Sequence, residues 1–270
     1  MATRLLEAGF VVRVWNRSPK RVTALVKLGA IATSSPAEAA TGADVLVTML
    51  PDGALVEAAV TGSKGALETL RSGALWLQMS SIGVEWTAQL EELADAKGVV
   101  FMDAPVSGSV GPATDGTLLI LSSGSEKVRD EATPVLDAMG RRTMWLGEAG
   151  AGSKAKLILN NWLVGLVESM AETLHFSEAL GINPELIIEL LDDAPIGSPY
   201  AVAKARGMLA GEFAPSFALK LALKDADLAV ASARDVGVDL LVTNSFIKAW
   251  HRAVDNGLGD DDLSVVYSNA

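Results

Sequence analysis

Lys156 and Asn160 stand four residues apart, just behind the glycine-rich run Gly150-Ala151-Gly152-Ser153. At 3.6 residues per turn, an ammonium and a carboxamide so spaced share one face of a helix. That face continues through Leu163, Val167 and Leu174, so it is expected to be buried. Burying a lysine charge costs on the order of several kcal/mol, and its presence at the mouth of an apolar face needs a reason. Two readings fit the spacing. In one, desolvation brings a lysine from about 10.4 toward neutrality, where it can exchange a proton with a substrate oxygen. In the other, the Lys156 stem lies along the apolar surface with its head in water, and Asn160 caps a neighbouring loop.

The elements that must hold this pair fall into two textures. Met1 to Ala8 reads as a helix ended by Gly9, and Val11 to Trp15 as a β-branched strand. Asn16-Arg17-Ser18-Pro19-Lys20-Arg21 follows as a turn, with Ser18 the expected cap and Pro19 the first helical residue. Apolar runs at 43–50, 74–81, 98–106, 117–123 and 143–146 read as further strands, and helical patterns separate most of them. Such alternation predicts a mainly parallel sheet covered on both faces, with ligands beyond the carboxyl ends of its strands. The breaks at Asn16-Arg17-Ser18, Leu50-Pro51, Ser80-Ser81 and Ser107-Gly108-Ser109 fall at those ends. From Lys154 onward no strand is expected. Helices are predicted at 153–180, 184–191, 198–209, 216–236 and 240–256, the first about 40 Å long. The domains are therefore expected at 1–149, α/β, and 150–270, all-α.

Composition narrows the function. The 270 residues carry a formal net charge of −11, which argues against nucleic acid and anionic membranes as partners. No apolar run reaches the ~18 residues of a membrane span. There are no cysteines, so disulfides and thiolate metal sites are excluded. The two histidines, His175 and His251, lie far apart on predicted helices and read as packed or surface residues. No metal is implied. No signal peptide is visible, and a soluble cytoplasmic protein is the default expectation.

Three signatures carry a family resemblance: Asp103-Ala104-Pro105-Val106-Ser107-Gly108-Ser109 followed by Gly116-Thr117-Leu118; the glycine-rich run ending at Lys156 and Asn160; and Leu223-Lys224-Asp225. In this order, the chain resembles the β-hydroxyacid dehydrogenase family, which includes 3-hydroxyisobutyrate and 6-phosphogluconate dehydrogenases. The resemblance implies a Rossmann-type doubly wound parallel sheet followed by an all-α domain. It also implies hydride transfer between a nicotinamide cofactor and a small carboxylate substrate, a 3-hydroxyacid or the matching semialdehyde. Lys156 is then the general acid/base, preferred to Lys154 by its spacing after Gly152, and Asn160 positions the substrate hydroxyl or carboxylate. Ser107, Gly108 and Ser109 resemble the loop that grips the substrate carboxylate. Leu50, Pro51 and Ser81 stand where the family contacts the cofactor, and Lys224 resembles a family lysine near it. The resemblance further implies a homodimer with interdigitated helical domains.

Two departures shape these expectations. The family begins with a strand and a Gly-x-Gly-x-x-Gly loop that this chain lacks, so it is read as an N-terminally clipped form. The substrate loop ends in Ser109 in place of glycine, which narrows backbone access or adds a hydroxyl donor. A dinucleotide fold commonly places a carboxylate after its second strand to bind the ribose hydroxyl of NAD. Asn16-Arg17-Ser18 stands there, with Lys20 and Arg21 behind. A guanidinium pairs with a 2′-phosphate where a carboxylate would repel it, so NADP(H) is expected over NAD(H), which stays possible. The alternatives are an imine reductase, which Lys156 opposes, and a catalytically inactive clipped chain or binding module of the same fold. Trp162 and Trp250 are expected to be packing residues.

Overall fold

The computed structural model describes residues 1–269. Two compact units divide the chain, Met1–Lys156 and a second that begins at Leu157.

The first unit alternates short strands and helices: α1 (Ala2–Glu7), β1 (Arg13–Val14), α2 (Thr23–Lys27), β2 (Ile31–Ala32), α3 (Pro36–Ala40), β3 (Val45–Thr48) and α4 (Gly53–Val60). Next come β4 (Leu75–Gln78), α5 (Val84–Ala96), β5 (Val100–Asp103), β6 (Val106–Ser107), α6 (Val110–Asp115), β7 (Leu118–Gly124), α7 (Arg129–Asp137) and β8 (Gly140–Trp145). β3, β4 and β5 run parallel in register, Thr48 opposite Gln78 and Gln78 opposite Asp103. β5 and β6 then pair successive stretches of β7 in the antiparallel sense. Pro105 interrupts the single strand expected at 98–106, because it has no N–H to give the ladder. Its carbonyl still accepts from Leu121 N at 2.9 Å. β8 lies parallel to β7. The sheet is thus mainly parallel, as expected, with antiparallel pairing confined to the contacts of β7 with β5 and β6. Hydrophobic runs locate strands but carry no direction.

β4 is buried along its whole length, and its alternation shows both faces covered. Leu75 and Leu77 join one apolar cluster with Leu5 of α1 and Leu136 of α7. Trp76 points the other way, into a cluster with Val56 of α4 and Leu90 of α5. Its ring meets Phe101 edge-on at 5.1 Å, and its N–H donates to Thr48 Oγ1 at 2.9 Å. Replacing so fully buried an indole by alanine would cost roughly 3–5 kcal/mol. β1 and β2 form a separate parallel pair of only two residues each.

The long helix α8 (Ala151–Ala179) leads into the second unit, followed by α9 (Pro184–Asp193), α10 (Pro199–Ala210), α11 (Leu219–Asp235) and α12 (Leu241–Asp255). Val164, Val167, Ala171 and Leu174 recur at three- and four-residue intervals along α8 and are all buried in the core of this unit. Asn183 and Ser198 cap α9 and α10, each with proline at the first helical position. The helix expected from Ser216 starts three residues later. Ser216 N and Phe217 N donate instead to Asp262 Oδ2 at 3.0 and 3.2 Å, and Ala218 bridges to Asp262. Trp250 packs on Phe246 and donates to Glu168 Oε2 at 2.7 Å, as a core residue should. Trp162 does not: it is 66% exposed on α8. Its place on the helix face opposite Val164 and Val167 makes it a surface residue, a correction to the packing role expected. Among the described residues no helix is long and apolar enough to cross a membrane.

Candidate active site

The first turn of α8 is tied to the carboxyl end of β5. Gly150 N donates to Asp103 Oδ1 and Ser153 N to Asp103 Oδ2, both at 2.7 Å. Gly152 N donates to Ser123 Oγ at 2.8 Å, and Ser123 in turn donates to Asp103. Thr87 of α5 donates to Ser153 Oγ at 2.9 Å. Both glycines of the run are needed. Gly150 has φ +89°, in the left-handed region, and a Cβ on Gly152 would sit 2.2 Å from Leu121 O. Beyond this turn Lys154 is exposed, whereas Lys156 is half-buried. Asn160, one turn on, is buried.

The other strand ends gather around the same edge of the sheet. Leu50 N donates to Ser80 Oγ at 2.8 Å. The buried Gln78 carboxamide brackets Ser80, accepting from its N–H at 2.8 Å and donating to its carbonyl at 2.9 Å. Leu50-Pro51 and Ser81 therefore follow adjoining strands β3 and β4, next to the end of β5 where α8 begins. Ser107 ends β6, opposite Leu119. Gly108 has φ +124°, and a Cβ there would lie 2.9 Å from Pro112 Cβ and 3.0 Å from Leu118 Cδ2. Ser109 stands at the N-cap of α6 without a side-chain cap bond. Ser107 and Gly108 border an open cavity of about 470 Å³ with Thr117 and Arg141. Arg141 carries no motif, and nothing in the sequence singled it out.

The basic turn stands apart, after β1 of the two-stranded pair. Asn16 Oδ1 accepts from Ser18 N at 2.9 Å, which shapes the turn. Arg17, Lys20 and Arg21 are exposed. Ser18 precedes Pro19 at the N-cap position of a four-residue 3-10 turn, but its hydroxyl makes no cap bond there. So short a turn gives the expected cap little helix to satisfy.

In the second unit Asn160 Nδ2 donates to Asp225 Oδ2, with both side chains buried. Lys224 Nζ lies 2.8 Å from Asp225 Oδ1. Asp225 was legible only as the last letter of a signature. Sixty-five positions separate it from Asn160, and no local pattern could pair them.

Residues 1–147 match the NAD-binding domain of 6-phosphogluconate dehydrogenase, and residues 150–269 match the NAD-binding domain of NADP-dependent 3-hydroxyisobutyrate dehydrogenase. The chain belongs to the β-hydroxyacid dehydrogenase family. As a β-hydroxyacid dehydrogenase it is an oxidoreductase that works with a nicotinamide cofactor. It is 33% identical to glyoxylate/succinic semialdehyde reductase 1 of Arabidopsis thaliana, over 98% of this chain and 92% of that one. The 3-hydroxyisobutyrate dehydrogenase of Mycobacterium tuberculosis, solved with L-serine, matches with a TM-score of 0.89 and 28% identity, over 99% of this chain and 93% of that one. An imine reductase from Pseudomonas sp. aligns over 99% of this chain and 93% of its own, with a TM-score of 0.61. At 20% identity that likeness shows the fold alone.

Proposed function

We propose that this protein is an NADP(H)-dependent oxidoreductase that interconverts a small 3-hydroxyacid and the matching semialdehyde or oxoacid. The observation that carries this reading is the setting of Lys156. It is half-buried, one turn before a buried carboxamide, on a helix whose first turn is tied to the carboxyl end of a sheet strand.

The residues after β1 fit a phosphorylated cofactor. Arg17, Lys20 and Arg21 are exposed at that strand end, and no carboxylate stands between Asn16 and Arg21. Arg17 and Arg21 would hold the 2′-phosphate by charge-assisted hydrogen bonds, with Asn16 and Ser18 beside it. Leu50, Pro51 and Ser81 would line its nicotinamide side, and Lys224 would lie near it. When bound, the reduced cofactor supplies the hydride. The protein's own part is positioning and proton transfer. Ser107, Gly108 and Ser109 hold the substrate carboxylate through backbone N–H groups and hydroxyls. The Lys156 ammonium gives its proton to the oxygen as the carbonyl is reduced, and in oxidation the amine takes that proton back. With its nitrogen engaged by Asp225, the Asn160 carboxamide leaves its oxygen to accept from the substrate hydroxyl.

In this reading residues 1–149 bind cofactor and residues 150–270 shape the substrate pocket and a homodimer. Support for the dimer comes from the exposed apolar side chains of α8, Ile158, Trp162 and Phe176. A cytoplasmic location accords with the absence of cysteine. The test is consumption of NADPH with glyoxylate or succinic semialdehyde. Turnover with an imine and none with either aldehyde would overturn the substrate class.

A further inference from the structure

Asp103 has no part in the chemistry above, yet it is fully buried, at 0% exposure, and its carboxylate meets the opening turn of the helix that carries Lys156. We propose that Asp103, with Ser123, is a positioning residue that fixes where Lys156 stands. The proposal rests on the reading of Lys156 as the acid/base.

The first amides of any helix lack partners inside it, and the aligned peptides place partial positive charge there. In α8 the amides of Gly150, Gly152 and Ser153 all find acceptors in one hydrogen-bonded unit, the Asp103 carboxylate and the Ser123 hydroxyl. The unit is charged, so its bonds are of the stronger kind. It hangs on two paired strands, since Asp103 of β5 stands opposite Ser123 of β7. Thr87 adds a third anchor through Ser153 Oγ, and the close approach of Gly152 to Leu121 O leaves no room for a slide. Lys156 follows Ser153 by three residues, less than one turn. A one-residue slip there would rotate it by about 100° and shift it by about 1.5 Å. A displacement of ~1 Å can cost about a hundredfold in rate. A carboxylate used only to quiet buried amides would matter to stability and leave the reaction alone.

Asp103→Asn keeps the shape and removes the charge. It is made in the parent chain and in Lys156→Ala, and kcat, KM and NADPH affinity are measured together with amide exchange over residues 150–156. The expected result is a loss of kcat of about tenfold or more in the parent, with NADPH affinity unchanged, faster exchange at Gly152 and Ser153, and no further loss in the Lys156→Ala background. Equal losses in both backgrounds, or full kcat in a folded Asp103→Asn, would overturn the proposal. If Asp103→Asn does not fold, Ser123→Ala carries the same comparison, since it keeps the charge and removes the hydroxyl that accepts from Gly152 N and donates to Asp103. The two readings fail separately. A Lys156→Ala variant with parental turnover defeats the acid/base role, and the exchange data still decide whether Asp103 holds the turn. Unaltered exchange would defeat that.

Discussion

The carboxamide nitrogen of Asn160 donates to the carboxylate of Asp225, with both side chains buried and far apart in the chain. A carboxylate accepts only, so this bond fixes which way the amide faces. Asp225→Ala removes the acceptor and leaves a buried N–H without one. The expected cost is about 1–3 kcal/mol, read by urea denaturation. Asp225→Asn should fold better and still lose kcat/KM, because its amide can meet Asn160 in either orientation.

Lys156→Ala is expected to lower kcat by ~10²–10⁴-fold, the usual scale for losing a general acid/base, with the thermal midpoint unchanged. Lys154→Ala, at an exposed position only two residues earlier, should leave kcat unaltered. Steady-state NADPH oxidation on both variants separates the two lysines. A loss confined to Lys154→Ala would reverse the assignment.

Arg17→Asp places a carboxylate on the turn after β1. Losing a charge-assisted contact of ~1.5–3 kcal/mol should weaken NADPH about ten- to a hundredfold while NADH changes little. Fluorescence titration with each cofactor reads this directly. Equal weakening of both would take the 2′-phosphate away from Arg17.

Lys204 Nζ lies 2.6 Å from Asp262 Oδ1, an ion pair with side chains only 11% and 4% exposed. Burial pushes the Asp262 carboxyl up, but the Lys204 ammonium, the Ser264 N–H and the Ser264 hydroxyl together bring it down from 3.8 to about 2. A lowered folded-state value means stabilisation present above the ordinary value and lost as pH falls toward 2. Nearly two pKa units correspond to about 2 kcal/mol. Lys204→Met leaves the carboxylate buried and unpaired, at a cost of about 3–5 kcal/mol at neutral pH. Urea midpoints of parent and variant should draw closer between pH 7 and pH 3 and converge only as pH nears 2. A gap that is the same at pH 3 as at pH 7 would assign the loss to packing.

Much of this arrangement was legible in advance because it is written locally. The helices expected at 184–191 and 198–209 form at Pro184–Asp193 and Pro199–Ala210, where Asn183 and Ser198 cap them. Strands β3 and β4 show as short apolar runs ended at Leu50-Pro51 and Ser80-Ser81, whereas β5 and β6 read as one run. Pairings made at a distance were not legible. The direction of β7 depends on which strand it meets, and the delayed start of α11 depends on Asp262, forty-six residues after Ser216. Asp103 stood inside a signature with no hint that its partners would be amides fifty residues later. Trp162 could not be separated from Trp250 by composition. Only the helix face decides which of them is covered.

The two-stranded pair β1–β2 has only two residue pairs in register, Arg13 with Ile31 and Val14 with Ala32. So short a ladder is a weak spot that opens before the buried strands do. Arg17, Lys20, Arg21 and Lys27 stand on the exposed stretch between its strands. Brief digestion with trypsin is therefore expected to nick the chain there first, and a phosphorylated cofactor seated on the same cations would shield it.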